Sequence, residues 1–315
     1  MIKIDLIDFN ESGNPNSAVV MYHYVRDLIK SDFPKLHARN LSEFEYQLQD
    51  FVSNYKVVSS ISSLSSRKKS LILTFDDGLK DHFTNVFPRL IRAGLPGSFY
   101  VSSGPLRKTV VLAVHKIQLL VATQKIDILV TELEKLLGSV RLSSLRDELS
   151  SKGDLERFDE SEVLFFKRAL QRDLEKDIRT EVLNSLFSRF FPDQEKSISQ
   201  SLYMSLSEIH ELKSAGMHIG NHTENHEWLG FLDLEEALEE VIKCENFLLE
   251  EGLIDKAEMS IAYPYGSYSQ DLVLALIKRS YRYGYTTVPS DLQSTTFEPL
   301  TIPRLDTNDF VYRPN

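Results

Sequence analysis

Apolar residues along this chain fall into two rhythms, short unbroken runs and longer segments with a period near 3.6. Residues 18–25 (AVVMYHYV), 70–75 (SLILTF) and 97–103 (GSFYVSS) are compact, β-prone runs of the kind that form strands buried on both faces. Residues 42–55 place Phe44, Leu48, Phe51 and Val52 on one face, which predicts an amphipathic helix with Ser42 as its cap. Helical periods over 82–94, 205–216 and 234–252 each end at a glycine (Gly94, Gly216 and Gly252), the residue that most readily closes a helix. Further strand signals lie at 217–222 (MHIGNH), 259–266 (MSIAYPYG), 283–288 (YGYTTV) and 298–306 (EPLTIPRLD). Repeated strand–helix alternation predicts an α/β fold with a mostly parallel sheet or barrel, and reactive groups at the C-terminal ends of its strands.

One stretch breaks the alternation. Residues 105–200 are rich in Leu, Lys, Glu and Arg, almost free of glycine and helical in period, which predicts an insertion of two to four helices within one domain covering residues 1–315. His115, beside Lys116 in this stretch, reads as a solvated helical residue. A net charge of −10 argues against nucleic acid or an anionic membrane surface as partner. The one cysteine, Cys244, lies in an apolar helical segment and reads as a core filler. The first fourteen residues show no basic-then-apolar leader pattern, and no run reaches the roughly 18 apolar residues of a membrane span. The expectation is a cytoplasmic protein.

The candidate chemistry sits at two strand ends. In IGNHTENH (219–226), His222 and His226 stand four residues apart, close enough for two imidazoles to reach one ion, although a solvated turn explains the same spacing. In TFDDG (74–78), Asp76 and Asp77 stand where a buried strand opens into a turn, and neighbouring side chains there point in different directions. An Asp-Gly turn with a solvated acid is the plain alternative. Taken together, the two motifs supply an Asp-His-His set with room for water, the pattern of a catalytic metal site.

TFDDG, then HIGNHTENH preceded by a helix ending in Ala215-Gly216, then AYPYG (262–266), resemble the successive motifs of the polysaccharide deacetylases, the NodB-like family 4 carbohydrate esterases. The resemblance covers roughly residues 18–104 and 201–310 and leaves out the insertion. It implies a distorted (β/α) barrel of about seven strands. It also implies a metal-dependent hydrolase that removes N-acetyl groups from an amino sugar, in a cell-surface polysaccharide or its cytoplasmic precursor. Carried over by position, Asp76 is the catalytic base and Asp77, His222 and His226 are ligands of one divalent ion. Zinc suits two histidines and one aspartate, while cobalt, nickel or manganese fit the same set. The backbone N–H of Tyr265 would hold the oxyanion.

Two departures follow. Ala262 stands where the family carries the arginine that tethers the catalytic aspartate, and Arg304 in IPRLD is a substitute for it or else a surface ion-pair member. The final histidine motif of the family is missing after Arg304. The first strand carries Met21-Tyr22-His23 instead, similar to circularly permuted members that deacetylate poly-N-acetylglucosamine. On that reading strand 18–25 pairs beside 298–306, His23 is the general acid, and Asp306 is the carboxylate that supports it. A core histidine is the alternative. Trp228 either lines the cleft, where a sugar ring stacks well, or caps the core. Two other functions stay open: a catalytically weakened carbohydrate-binding member, and an amidohydrolase for a small non-sugar amide.

Overall fold

Eight parallel strands carry the fold: β1 (Ala18–Tyr22), β2 (Lys56–Val57), β3 (Ser70–Phe75), β4 (Ser98–Val101), β5 (His218–Asn221), β6 (Ser260–Ala262), β7 (Tyr283–Tyr285) and β8 (Leu305–Asp306). The computed structural model describes residues 17–64, 69–152, 161–292 and 297–310, and the count refers to these; the leader reading of the first fourteen residues lies outside them. The order is β7-β6-β5-β4-β3-β1-β8, with β2 also paired to β3. All the pairings are parallel, as buried apolar runs joined by helices require. Past the β7 edge, Gly284 donates to the Pro299 carbonyl (2.9 Å) and Thr286 to that of Ile302 (2.8 Å). This segment continues into β8 against β1, so the two edges are linked and the sheet closes as a distorted barrel.

Strand alternation separates two cores. Val19, Ile72, Tyr100, Ala262 and Tyr285 pack with Ile302 in one cluster. Their chain neighbours Val20, Leu73, Phe99, Val101 and Ile261 join the helical residues Phe44, Phe51, Leu90, Leu212, Val241 and Leu276 in the other. Cys244 is fully buried in this outer layer, as its apolar context predicts. Helix Leu41–Asn54 starts earlier than Ser42: Asn40 is the cap, and the Glu43 carboxylate returns to accept from the Asn40 N–H (3.0 Å). The expected helix over 82–94 opens as a π-helical turn (His82–Val86) before its α-helical part (Phe87–Ala93), and Gly94 ends it at φ 64°.

The chain divides into two compact units. One comprises the barrel segments up to Asp27, His37–Lys108 and from Gln200 on; the other comprises Leu28–Leu36 and Thr109–Ser199. The described residues from Ala113 to Leu202, nearly all in the second unit, form six α-helices rather than two to four. Extended backbone at Gln124 and Lys125 and a left-handed Gly138 cut what reads as one continuous helical pattern. The solvated reading of His115 is also corrected. It is fully buried, because helix Ala113–Thr123 is covered on several sides, including Val114, Ile117, Leu119 and Leu120.

Candidate active site

Both acids of TFDDG sit where β3 leaves the sheet. Asp76 still follows the ladder, donating its N–H to the Tyr22 carbonyl (2.9 Å). Asp77 and Gly78 then adopt positive φ (74° and 66°), which turns the chain sharply away. The two carboxylates therefore face different partners. Asp76 is met by Arg304, only 1% exposed, whose Nη1 donates to Oδ1 (2.9 Å) and whose Nη2 lies 2.7 Å from Oδ2. The same guanidinium donates through Nε to the Thr286 carbonyl (2.8 Å) and through Nη1 to Thr74 Oγ1 (3.1 Å). This fork fixes the plane of the Asp76 carboxylate. Burial opposes ionisation of Asp76, but Arg304 foremost, with His222 and His23 nearby, outweighs it and holds the carboxyl below its ordinary range. Arg304 is thus a buried partner of Asp76 and not a surface ion-pair member.

Asp77 faces the histidines. Its Oδ1 lies 3.2 Å from His222 Nε2 and 3.3 Å from His226 Nε2, and the ligand atoms of the three residues all lie within 4.8 Å of one another. All three residues are buried. His222 follows β5 directly, and its Nδ1 donates to the Ala262 carbonyl at 2.7 Å, which leaves the Nε2 lone pair directed at the cluster. A backbone acceptor behind a ligating imidazole is what holds such a ring in orientation at metal sites. Burial disfavours charge on His222, yet the Asp77 and Asp76 carboxylates more than offset it, so the cluster is a cation-attracting one. The residue types, their convergence and this tautomer fit one divalent ion.

The loop between the histidines is held from several sides. Thr223 and His226 both have positive φ (65° and 60°), and Thr223 Oγ1 accepts from the His226 N–H (3.1 Å). Asn221 Oδ1 accepts from the Thr223 N–H (2.7 Å), and Glu240 holds Asn225 through Oε2 to its N–H (2.8 Å) and Oε1 to its amide (2.7 Å). Glu224, fully buried, accepts from Ser103 Oγ and pairs with Arg107 (3.2 Å) and Lys108 (2.9 Å) of helix Ser103–Lys108. Tyr265, at φ 57°, packs edge-on against His226 (4.7 Å) and stacks on Trp228 (4.3 Å, 11°). Phe231, 64% exposed, extends this aromatic wall (5.8 Å to Trp228).

His23 follows β1, one residue past Tyr22, whose partner across the sheet is Phe75. It stands beside Asp76 at adjacent strand ends. The pairing of β1 with β8 (Val20 with Leu305, Met21 with Asp306) is the one that the permuted order requires. Asp306 itself caps the following turn, accepting from the Asn308 N–H at 2.7 Å. The sequence does not single out Thr74, Thr286, Glu224 or His82, although Thr74 lies inside TFDDG, Glu224 inside IGNHTENH and His82 six residues after Asp76.

Residues 189–287 match the family model for polysaccharide deacetylase. The matched stretch holds HTENH and AYPYG but not TFDDG. No curated protein sequence matches the chain. Among solved structures, it resembles the Streptococcus pyogenes deacetylase PplD in complex with acetate (TM-score 0.54, 17% identity, 92% of this chain and 91% of that one). It also resembles IcaB from Ammonifex degensii (TM-score 0.54, 15% identity, 93% and 92%). The deacetylase domain of BpsB from Bordetella bronchiseptica is a further match (TM-score 0.50, 14% identity, 93% and 98%). At these identities the likeness is one of fold. The barrel places TFDDG and HTENH at the C-terminal ends of β3 and β5, at one end of the sheet.

Proposed function

We propose that this protein is a metal-dependent de-N-acetylase, hydrolysing the acetamide of an N-acetylated amino sugar to free amine and acetate. The observation that carries the reading is one buried aspartate clamped by Arg304 next to a second that shares a cluster with two histidines. An ion held by Asp77, His222 and His226, with zinc the best match, would supply Lewis acidity to activate water and polarise the amide carbonyl. Asp76, kept ionised by Arg304, takes the proton of the attacking water. The Tyr265 N–H receives the negative charge that develops on the carbonyl oxygen. His23 delivers a proton to the departing nitrogen as the C–N bond breaks, so the amine leaves neutral. The aromatic wall of Tyr265, Trp228 and Phe231 suits the apolar face of a sugar ring.

We further propose one catalytic domain, interrupted by the helical insertion, acting in the cytoplasm on a precursor of a surface polysaccharide. No helix among the described residues is long and apolar enough to cross a membrane. Acetate release from a panel of N-acetyl hexosamines, their oligomers and small N-acetyl amines tests the reading. Turnover of the sugars well above the amines is expected. Equal or faster turnover of the non-sugar amides would replace it with a general amidohydrolase, and no turnover of any would favour a binding role.

A further inference from the structure

The segment that carries His23 leaves the sheet at Tyr22, so its backbone loses ladder partners just where the proposed general acid stands. Backbone bonds with Arg39 (its N–H to the Tyr24 carbonyl, 2.9 Å, and its carbonyl from the Arg26 N–H, 3.0 Å) and the side chains of one turn after β3 take their place. His82 Nε2 lies 3.0 Å from the His23 carbonyl, Asp81 Oδ2 accepts from the Val25 N–H (3.2 Å), and Asn85 Nδ2 donates to the Val25 carbonyl (2.8 Å). Asp81 also binds Arg26 through two bonds, Nε to Oδ2 (2.7 Å) and Nη2 to Oδ1 (2.9 Å). Three side chains within five residues thus grip residues 23–26. They belong to the π-helical turn His82–Val86 and the Asp81 that precedes it. Such wide turns inside helices recur at functional sites.

His82 is an uncommon choice for its place. It is fully buried, with the rings of Phe75 (5.6 Å) and Phe99 (5.9 Å) against it. Its Nδ1 has no hydrogen-bond partner among the described residues. Burying such an acceptor without a partner is unfavourable, so packing alone favours an apolar residue there. Burial pushes its pKa down to about 4, so the ring is neutral and only an Nε2–H can bond to the carbonyl.

We propose that His82, with Asp81 and Asn85, is a positioning residue that aims His23 at the leaving nitrogen. The inference rests on the reading of His23 as general acid. It predicts that His82→Leu copies the signature of His23→Ala: kcat for an N-acetylglucosamine oligomer falls at least about tenfold with KM and zinc content unchanged, since misplacing a catalytic group lowers rate steeply. On 4-nitrophenyl acetate, whose leaving group needs no proton, the loss shrinks to within about twofold. His82→Gln, which keeps an N–H donor, recovers most of the rate. Asn85→Ala, at a half-buried position, gives a milder form of the same amide-selective loss if His82→Leu does not fold. The double variant of His23→Ala with His82→Leu is no slower than His23→Ala alone. Amide-selective loss in His23→Ala but equal losses on both substrates in His82→Leu and Asn85→Ala would overturn the positioning role alone. Absence of any amide-selective loss in His23→Ala would overturn the general-acid reading and this inference with it.

Discussion

Arg304 makes four contacts from a site that is 1% exposed, and each is made at the cost of taking a full charge out of water. A buried pair of this sort adds little over an apolar pair of equal volume, but removing one member leaves the other charge stranded. Arg304→Gln should therefore lose about 3 kcal/mol or more of unfolding free energy in urea at neutral pH. The pH dependence has a definite sign. Asp76 has a folded pKa below its ordinary 3.8, so its contribution is fully present above that value and is lost as pH falls through the depressed one. The gap between wild type and variant should hold at neutral pH and narrow below pH 3.8. A gap that is absent at neutral pH would show that Arg304 is not the partner that matters.

Elements place these residues, and not all of that placement is legible in the sequence. TFDDG and HTENH could be assigned to strand ends because a buried apolar run precedes each, and the strand period then separates the two acids. Arg304 could be suspected only because Ala262 left a role open. The tether of Glu224 could not be read at all, since it depends on helix Ser103–Lys108 folding back more than a hundred residues away in sequence. Asn40 was missed as a cap because Ser42 and Asn40 are equally good residues for it, and geometry decides. The breaks in the helical unit at Gln124 and Lys125 escaped notice because neither residue is a helix breaker by composition. Glu224 yields a prediction at this scale. With Glu224→Ala, the loop carrying both histidines loses its side-chain link to helix Ser103–Lys108 and keeps only the backbone bonds from Ser103 and Gly104, and zinc affinity measured against a competing chelator should fall about tenfold. Gly104→Ala should act alike, because a Cβ there would lie 2.5 Å from the Glu224 carbonyl oxygen. Unchanged affinity in both would mean that the loop holds its shape without the Glu224 side chain, through Asn221, Thr223 and Glu240.

For the whole molecule, the barrel concentrates titratable groups where water is scarce, and its acid stability should show it. His82, with a folded pKa of about 4 against an ordinary 6.5, stays neutral in the fold while the unfolded chain takes up a proton. Its contribution is complete above pH 6.5, declines as pH falls, and levels off near pH 4, by up to about 3 kcal/mol. Urea midpoints across this range should drop more steeply for wild type than for His82→Gln, and parallel curves would contradict the assignment. At the same strand ends, Asp77, His222 and His226 converge beside Asp76, and the proposed reaction needs one metal ion there. The most direct test of that need is acetate release from an N-acetylglucosamine oligomer by chelator-stripped protein titrated with zinc. Stripped protein should show no turnover, and recovery should saturate at one equivalent of zinc. No recovery is expected in Asp77→Ala, and zinc binding without turnover in Asp76→Asn. Acetate release that survives chelation, or an Asp76→Asn variant that works at the wild-type rate, would contradict the proposed reaction.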